Sequence, residues 1–157
     1  MPYVMVDIEA DGPIPGDYSM VSLGAVIVEP GLTRTFYGQL RPISARFIPE
    51  ALAVSRHTRA ECEAFDAPGE VMEKFRTWMQ SNCRGRMIFV SDNYGFDWQF
   101  VNWYFHHFLR ENPFGHSSIN LGSLYQGMLR DMFVTFKTLR MTKHTHHPVD
   151  DARGNAE

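Results

Sequence analysis

Apolar residues change period along this chain, and each change marks an element. "YVMVDIE" (Tyr3 to Glu9) is an apolar run that ends in acids and predicts a first strand. "MVSLGAVIVE" (Met20 to Glu29) is rich in β-branched residues and predicts a second. "TRTFYGQL" (Thr33 to Leu40) alternates polar and apolar positions and predicts a third. The short joins between the three imply an antiparallel meander. "PEALAVS" (Pro49 to Ser55) reads as a short helix opened by proline. From Asp66 to Gln80 the apolar residues Val71, Met72, Phe75, Trp78 and Met79 recur at helical spacing. "RMIFVS" (Arg86 to Ser91) predicts a fourth strand, Phe96 to Arg110 an aromatic helix, and "SINL" (Ser118 to Leu121) a fifth strand. A helix from about Ser123 to Met132 follows, and Pro148 opens a last one. Three strands followed by alternating helices and strands indicate an α/β domain with a mixed sheet.

Composition narrows the class. A chain of 157 residues, 44% of them hydrophobic, suits one domain with its own core. No apolar run reaches the ~20 residues of a membrane span. No basic segment followed by an apolar one stands at the amino terminus, so no signal peptide is expected. Cys62 and Cys83 form neither a CxxC pair nor a metal-finger spacing. Two reduced thiols in a cytoplasmic protein is the expected state. The net charge of −3 runs against nucleic-acid binding. That objection weakens if four carboxylates hold cations, because the balance of the remaining charges is then about +1.

Three stretches carry chemistry. On a strand, side chains alternate between faces, so Asp7 and Glu9 share one face and Val6 and Ile8 the other. Their Cα atoms are separated by roughly 6.6 Å at the usual rise per residue. Two carboxylates so close repel each other, and divalent cations with a preference for oxygen would relieve the repulsion. A solvated acidic turn after a strand gives the same short motif. The second stretch, "SDNYGFDWQF" (Ser91 to Phe100), joins a strand to a helix and carries Asn93, Phe96 and Asp97. Alone, Asp97 is also a favourable partner for a helix dipole. The third, "HTHHPVDDARGNAE" (His144 to Glu157), puts Asp150 and Asp151 in the first turn of the last helix. Adjacent helical residues point about 100° apart, so at most one of them faces a given site. The run of histidines also fits a separate metal-binding tract.

Taken together the three stretches resemble the DEDDh exonucleases, the RNase H-like 3′–5′ exonucleases. Asp7-Ile8-Glu9 matches the first motif of that family, "NYGFD" with Asp97 the second, and His146 and Asp151 of "HHPVDDA" the third. The family's spacing selects His146 over His144 and His147, and Asp151 over Asp150. "PEALAVSRHT" (Pro49 to Thr58) is similar to the family's helical segment after the third strand. The resemblance implies an RNase H-like mixed five-stranded sheet, three antiparallel strands then parallel strands, flanked by helices. It also implies two divalent cations, Mg²⁺ or Mn²⁺, held roughly 4 Å apart. Asp7, Glu9, Asp97 and Asp151 would be the metal ligands and His146 the general base. The expected reaction is 3′–5′ exoribonuclease cleavage of single-stranded or short RNA to nucleoside 5′-monophosphates. An exodeoxyribonuclease is the alternative within the same chemistry, and a non-catalytic nucleic-acid-binding module the alternative of another class.

The resemblance further suggests Tyr18, Met20 and His57 as substrate contacts and a homodimer as the assembly. Asp11, in place of a residue near the terminal nucleotide in many members, would add negative charge beside a phosphate. Members usually continue the last helix for more turns than this chain shows. The rings after the second motif fit core packing on one side of their helix and a subunit contact on the other.

Overall fold

The computed structural model describes all residues, Met1 to Glu157. Strands β1 (Tyr3–Ala10), β2 (Met20–Ile27), β3 (Thr35–Gln39), β4 (Ile88–Ser91) and β5 (Ser118–Asn120) form one sheet in the order β3-β2-β1-β4-β5. β1 pairs antiparallel with β2, and β2 with β3. β4 pairs parallel with β1, and β5 with β4. This is the mixed RNase H-like sheet that the family resemblance implies.

Helices cover both faces. α1 (Pro49–Val54), α2 (Arg59–Glu63), α3 (Pro68–Asn82), α4 (Tyr94–Tyr104), α5 (Leu121–Leu129) and α6 (Pro148–Ala156) follow in chain order. Alternation along β1 decides what each face buries. Val4, Val6, Ile8 and Ala10 enter the larger core with Met72, Phe75, Phe89, Phe100, Phe105 and Phe114. Met5, on the opposite face, packs with Val26, Val90 and Ala152 of α6. Asp7 and Glu9 continue that second face beyond Met5, so the apolar half of β1 anchors α6 and the polar half meets its first turn.

The sequence misses or misplaces some elements. α2 is absent from the reading, although Thr58 and Glu61 form a capping box at its start. The aromatic helix begins at Tyr94 and loosens into a π-helical turn over Phe105–Leu109, ending at Arg110 with φ 63°. Its rings pack on more than one side: Trp98 packs edge-on against Phe89 and Phe105 stacks on Phe75, so the second side is core as well. α5 starts at Leu121 because the Asn120 side chain accepts from the Ser123 N–H. No side chain of α5 is buried, and Leu124, Met128 and Leu129 are exposed. A 3₁₀ turn over Phe136–Leu139 lies in a stretch with no predicted element.

Candidate active site

Three elements meet at the carboxyl end of β1. Asp7 lies opposite Gly24 in the β1–β2 ladder, and a register shift between Glu9 and Ala10 ends the regular pairing there. At Gly24 a Cβ would stand 2.2 Å from the Pro148 carbonyl carbon and 2.4 Å from the Val149 nitrogen. The lack of a side chain thus lets the first turn of α6 rest on the sheet, directly beside the acids of β1. Pro148 needs no N–H partner at that position and fixes the entry of the helix.

Carboxylate oxygens of Asp7, Glu9 and Asp151 come within 4.8 Å of one another. Asp97, in the first turn of α4, accepts from the Ile8 N–H at 3.3 Å, and its second oxygen is buried with no hydrogen-bond partner. Asp151 is held from the preceding loop: Thr145 N–H and His146 N–H donate to its two oxygens at 2.9 and 3.0 Å. His146 takes a left-handed backbone, φ 57°, which turns its N–H toward Asp151. Its Nδ1 lies 3.8 Å from Glu9 Oε1, and the ring is about half exposed.

The acids crowd one another in a poorly solvated cleft. Burial drives the Asp7 carboxyl well above the usual carboxylate range, and the charges of Asp97, Glu9, Asp151 and Asp92 push the same way. Burial, then Asp151, pushes Glu9 up to about 7. Burial pushes Asp97 up to about 8, opposed by the nearby Ser91 side chain and the Ile8 N–H and assisted by Asp92 and Glu9. A site that disfavours its own negative charges binds cations well, since each bound cation removes that repulsion. An all-oxygen donor set with an unpartnered buried oxygen fits a hard divalent ion.

Asp150 does not face this cluster; it accepts from the Thr145 hydroxyl. Asp151 is the member of the pair that does. His144 also approaches, with Nδ1 3.0 Å from Asp151 Oδ2 and its ring 4.3 Å from that of His146. A second set of ligand atoms, from His144, His146 and Asp151, therefore shares a carboxylate with the first. Sequence spacing missed His144, and it missed Asp92 and Lys137, which line the same cleft of about 470 Å³. Asp92 sits one residue before the recognised Asn93, and only the fold brings Lys137 to it, at 3.2 Å.

The suggested substrate contacts lie elsewhere. Met20 is wholly buried in the larger core, so its side chain offers no surface to a nucleotide. Its N–H donates to the Tyr104 hydroxyl at 2.8 Å. Tyr18 packs its ring where a side chain on Gly12 would be, and Arg46 lies over that ring. His57 contacts Gln39 at 3.3 Å and packs edge-on against Phe65. Neither lines the acidic cleft, whereas Phe96 does. Asp11 does not face a phosphate either: it is buried, accepts from the Ser19 N–H at 2.5 Å and pairs with Arg59 at 3.0 Å.

This geometry can be set beside known proteins. The model of the RNase T family, described as exonuclease, matches residues 4–157. The chain belongs to the RNase T exonuclease family. A 3′–5′ DNA exonuclease, Cap18 of Escherichia coli, is 35% identical over 99% of this chain and 88% of its own length. The nuclease domain of 3′hExo, a DEDDh family member solved with rAMP, superposes with a TM-score of 0.75 at 18% identity, over 99% of this chain and 88% of that one. Cell-death related nuclease 4 superposes at 0.78 with 15% identity, over 99% and 61%. E. coli exonuclease I in complex with a dA16 oligonucleotide gives 0.76 at 12%, over 99% and 39%. Membership of that family makes this chain an exonuclease, and the acidic cluster at the end of β1 is its candidate metal site. No helix of the chain is long and apolar enough to cross a membrane.

Proposed function

We propose that this exonuclease removes nucleoside 5′-monophosphates one at a time from the 3′ end of single-stranded DNA. The observation that carries the reaction is the convergence of Asp7, Glu9 and Asp151 oxygens within 4.8 Å, with His146 Nδ1 3.8 Å from Glu9. DNA is favoured by the 35% identical relative, whose described activity is on DNA. Two Mg²⁺ or Mn²⁺ ions would lower the pKa of a nucleophilic water and stabilise charge on the departing 3′ oxygen. Asp7, Glu9 and Asp151 would hold them, and Asp97 would complete the cage through its unpartnered oxygen. His146 accepts the water proton; its ring is half exposed beside the acids, with Nδ1 turned toward Glu9. Phe96, on the cleft wall, offers a ring to the terminal base.

The deciding experiment follows mononucleotide release from matched single-stranded DNA and RNA, labelled at either end, with Mn²⁺, with Mg²⁺ and with chelator. Stepwise 5′-mononucleotide release from DNA, blocked by a 3′-phosphate and by chelator, is the expected result. RNA, the substrate that the sequence suggests, is the comparison arm, and faster release from it would move the assignment to RNA through a 2′-hydroxyl contact. No release from either strand with either metal would overturn the reading.

A further inference from the structure

Positive charge is concentrated where the fold has placed the acids. The chain as a whole carries −3, yet Arg130 to His147 holds four of its cations, Arg130, Lys137, Arg140 and Lys143, against one acid, Asp131. This stretch supplies a second cleft, of about 390 Å³, walled by Lys137, Arg140, Thr142, Lys143 and His144 with no hydrophobic side chain. Lys137 and His144 belong to both clefts, so the basic one opens beside the acidic one. The three cations differ in state. Arg140 is nearly buried and tied to Asp92, at 3.1 Å, and to Asn155, so it is a post that fixes the segment. Lys137 keeps a largely exposed side chain with its ammonium 3.2 Å from Asp92, and Lys143 is exposed.

Resting on the 3′–5′ exonuclease reading, we infer that Lys137 and Lys143 form the subsite for the phosphates that precede the scissile bond. A single strand whose 3′ nucleotide sits among Asp7, Glu9 and Asp151 must leave that cleft past a neighbouring wall. The basic cleft is a wall that offers a polyanion compensating charge. Lysine suits the task, because a flexible point charge tracks a backbone whose phosphates differ in placement from one sequence to the next. Asp92 holds the Lys137 ammonium at the boundary between the clefts until a phosphate competes for it. The subsite recognises phosphate spacing and not base identity.

The test compares two substrates in Mn²⁺. One is a long single-stranded oligonucleotide; the other is the p-nitrophenyl ester of thymidine 5′-monophosphate, which has a scissile phosphodiester and no phosphates before it. Lys143→Ala and Lys137→Ala should raise KM for the oligonucleotide several-fold, with a clearly smaller effect on the ester. The slope of log KM against log salt should fall by about 0.7 for each lysine removed. Lys143→Arg should recover most of the oligonucleotide KM, and thermal midpoints near that of the parent protein show the variants folded. Equal losses on both substrates, or an unchanged salt slope, would overturn the subsite while leaving the exonuclease reading intact. A parent protein that releases product from neither substrate would overturn both.

Discussion

Gly24 and Pro148 are in backbone contact: a methyl group on the glycine would lie 2.2 Å from the proline carbonyl carbon. The close packing of α6 against β2 therefore depends on a missing side chain. Gly24→Ala should destabilise the fold by about 1–3 kcal/mol, the usual cost of overpacking a well-filled site. Activity should fall further than stability predicts, because Asp151 moves away from Asp7. Gly127→Ala, on exposed α5 with nothing within 4 Å of the new atom, should be neutral or stabilising. Urea unfolding with parallel rate measurements checks both.

The pH dependence of the metal-free protein has a definite sign. Asp7, Glu9 and Asp97 all hold protons more tightly folded than unfolded. The folded state then binds more protons than the unfolded chain at intermediate pH, so stability is lost as pH rises. The loss should run from about pH 3.8, where the unfolded aspartates begin to titrate, to about pH 8, where Asp97 does in the fold. Asp97→Asn should raise the thermal midpoint near pH 8 and lose that advantage in acid. Calorimetry in EDTA across this range would show it, and a flat profile would contradict it.

Divalent ions should reverse the effect. Adding Mg²⁺ or Mn²⁺ at neutral pH should raise the midpoint with concentration, as any ligand of the folded state does. EDTA should abolish nucleotide release, and either ion should restore it. Asp7→Asn should lose activity and most of the ion-induced rise, a thermal readout that is independent of turnover.

The two neighbouring histidines should separate by role. His146→Ala should lower kcat about a hundredfold or more. His144→Ala removes a partner of Asp151, 3.0 Å away, but leaves the proton acceptor. It should slow turnover clearly less, by about tenfold. Equal losses of kcat in the two variants would remove the distinction.

Asp11 and Arg59 should behave as a buried pair. The Asp11 side chain is fully buried and that of Arg59 mostly so. Arg59→Met should cost about 3–5 kcal/mol by stranding a carboxylate. Adding Asp11→Asn should return part of that loss, as a double-mutant cycle in urea would measure.

What the sequence revealed follows from the range of its patterns. A period of two put Asp7 and Glu9 on one face of β1, and that is the face they take, beside Met5 and beneath α6. Asp151, not Asp150, turns to the cluster because adjacent helical residues diverge. Asp92 and Lys137 escaped because they meet only through the docking of a loop that carries no periodic signal. The segment around Met20 resembles a substrate wall in sequence, but β2 is buried along its whole length, and the Met20 side chain is spent on the core. The register that makes it so is tertiary.

Asp7 stands in the first strand and Asp151 in the last helix, with the whole sheet made in between. During synthesis the ribosome releases Asp7 long before Asp151. A growing chain therefore holds half a cage until the stretch around Asp151 is made, and the capacity to cut nucleic acid comes no earlier.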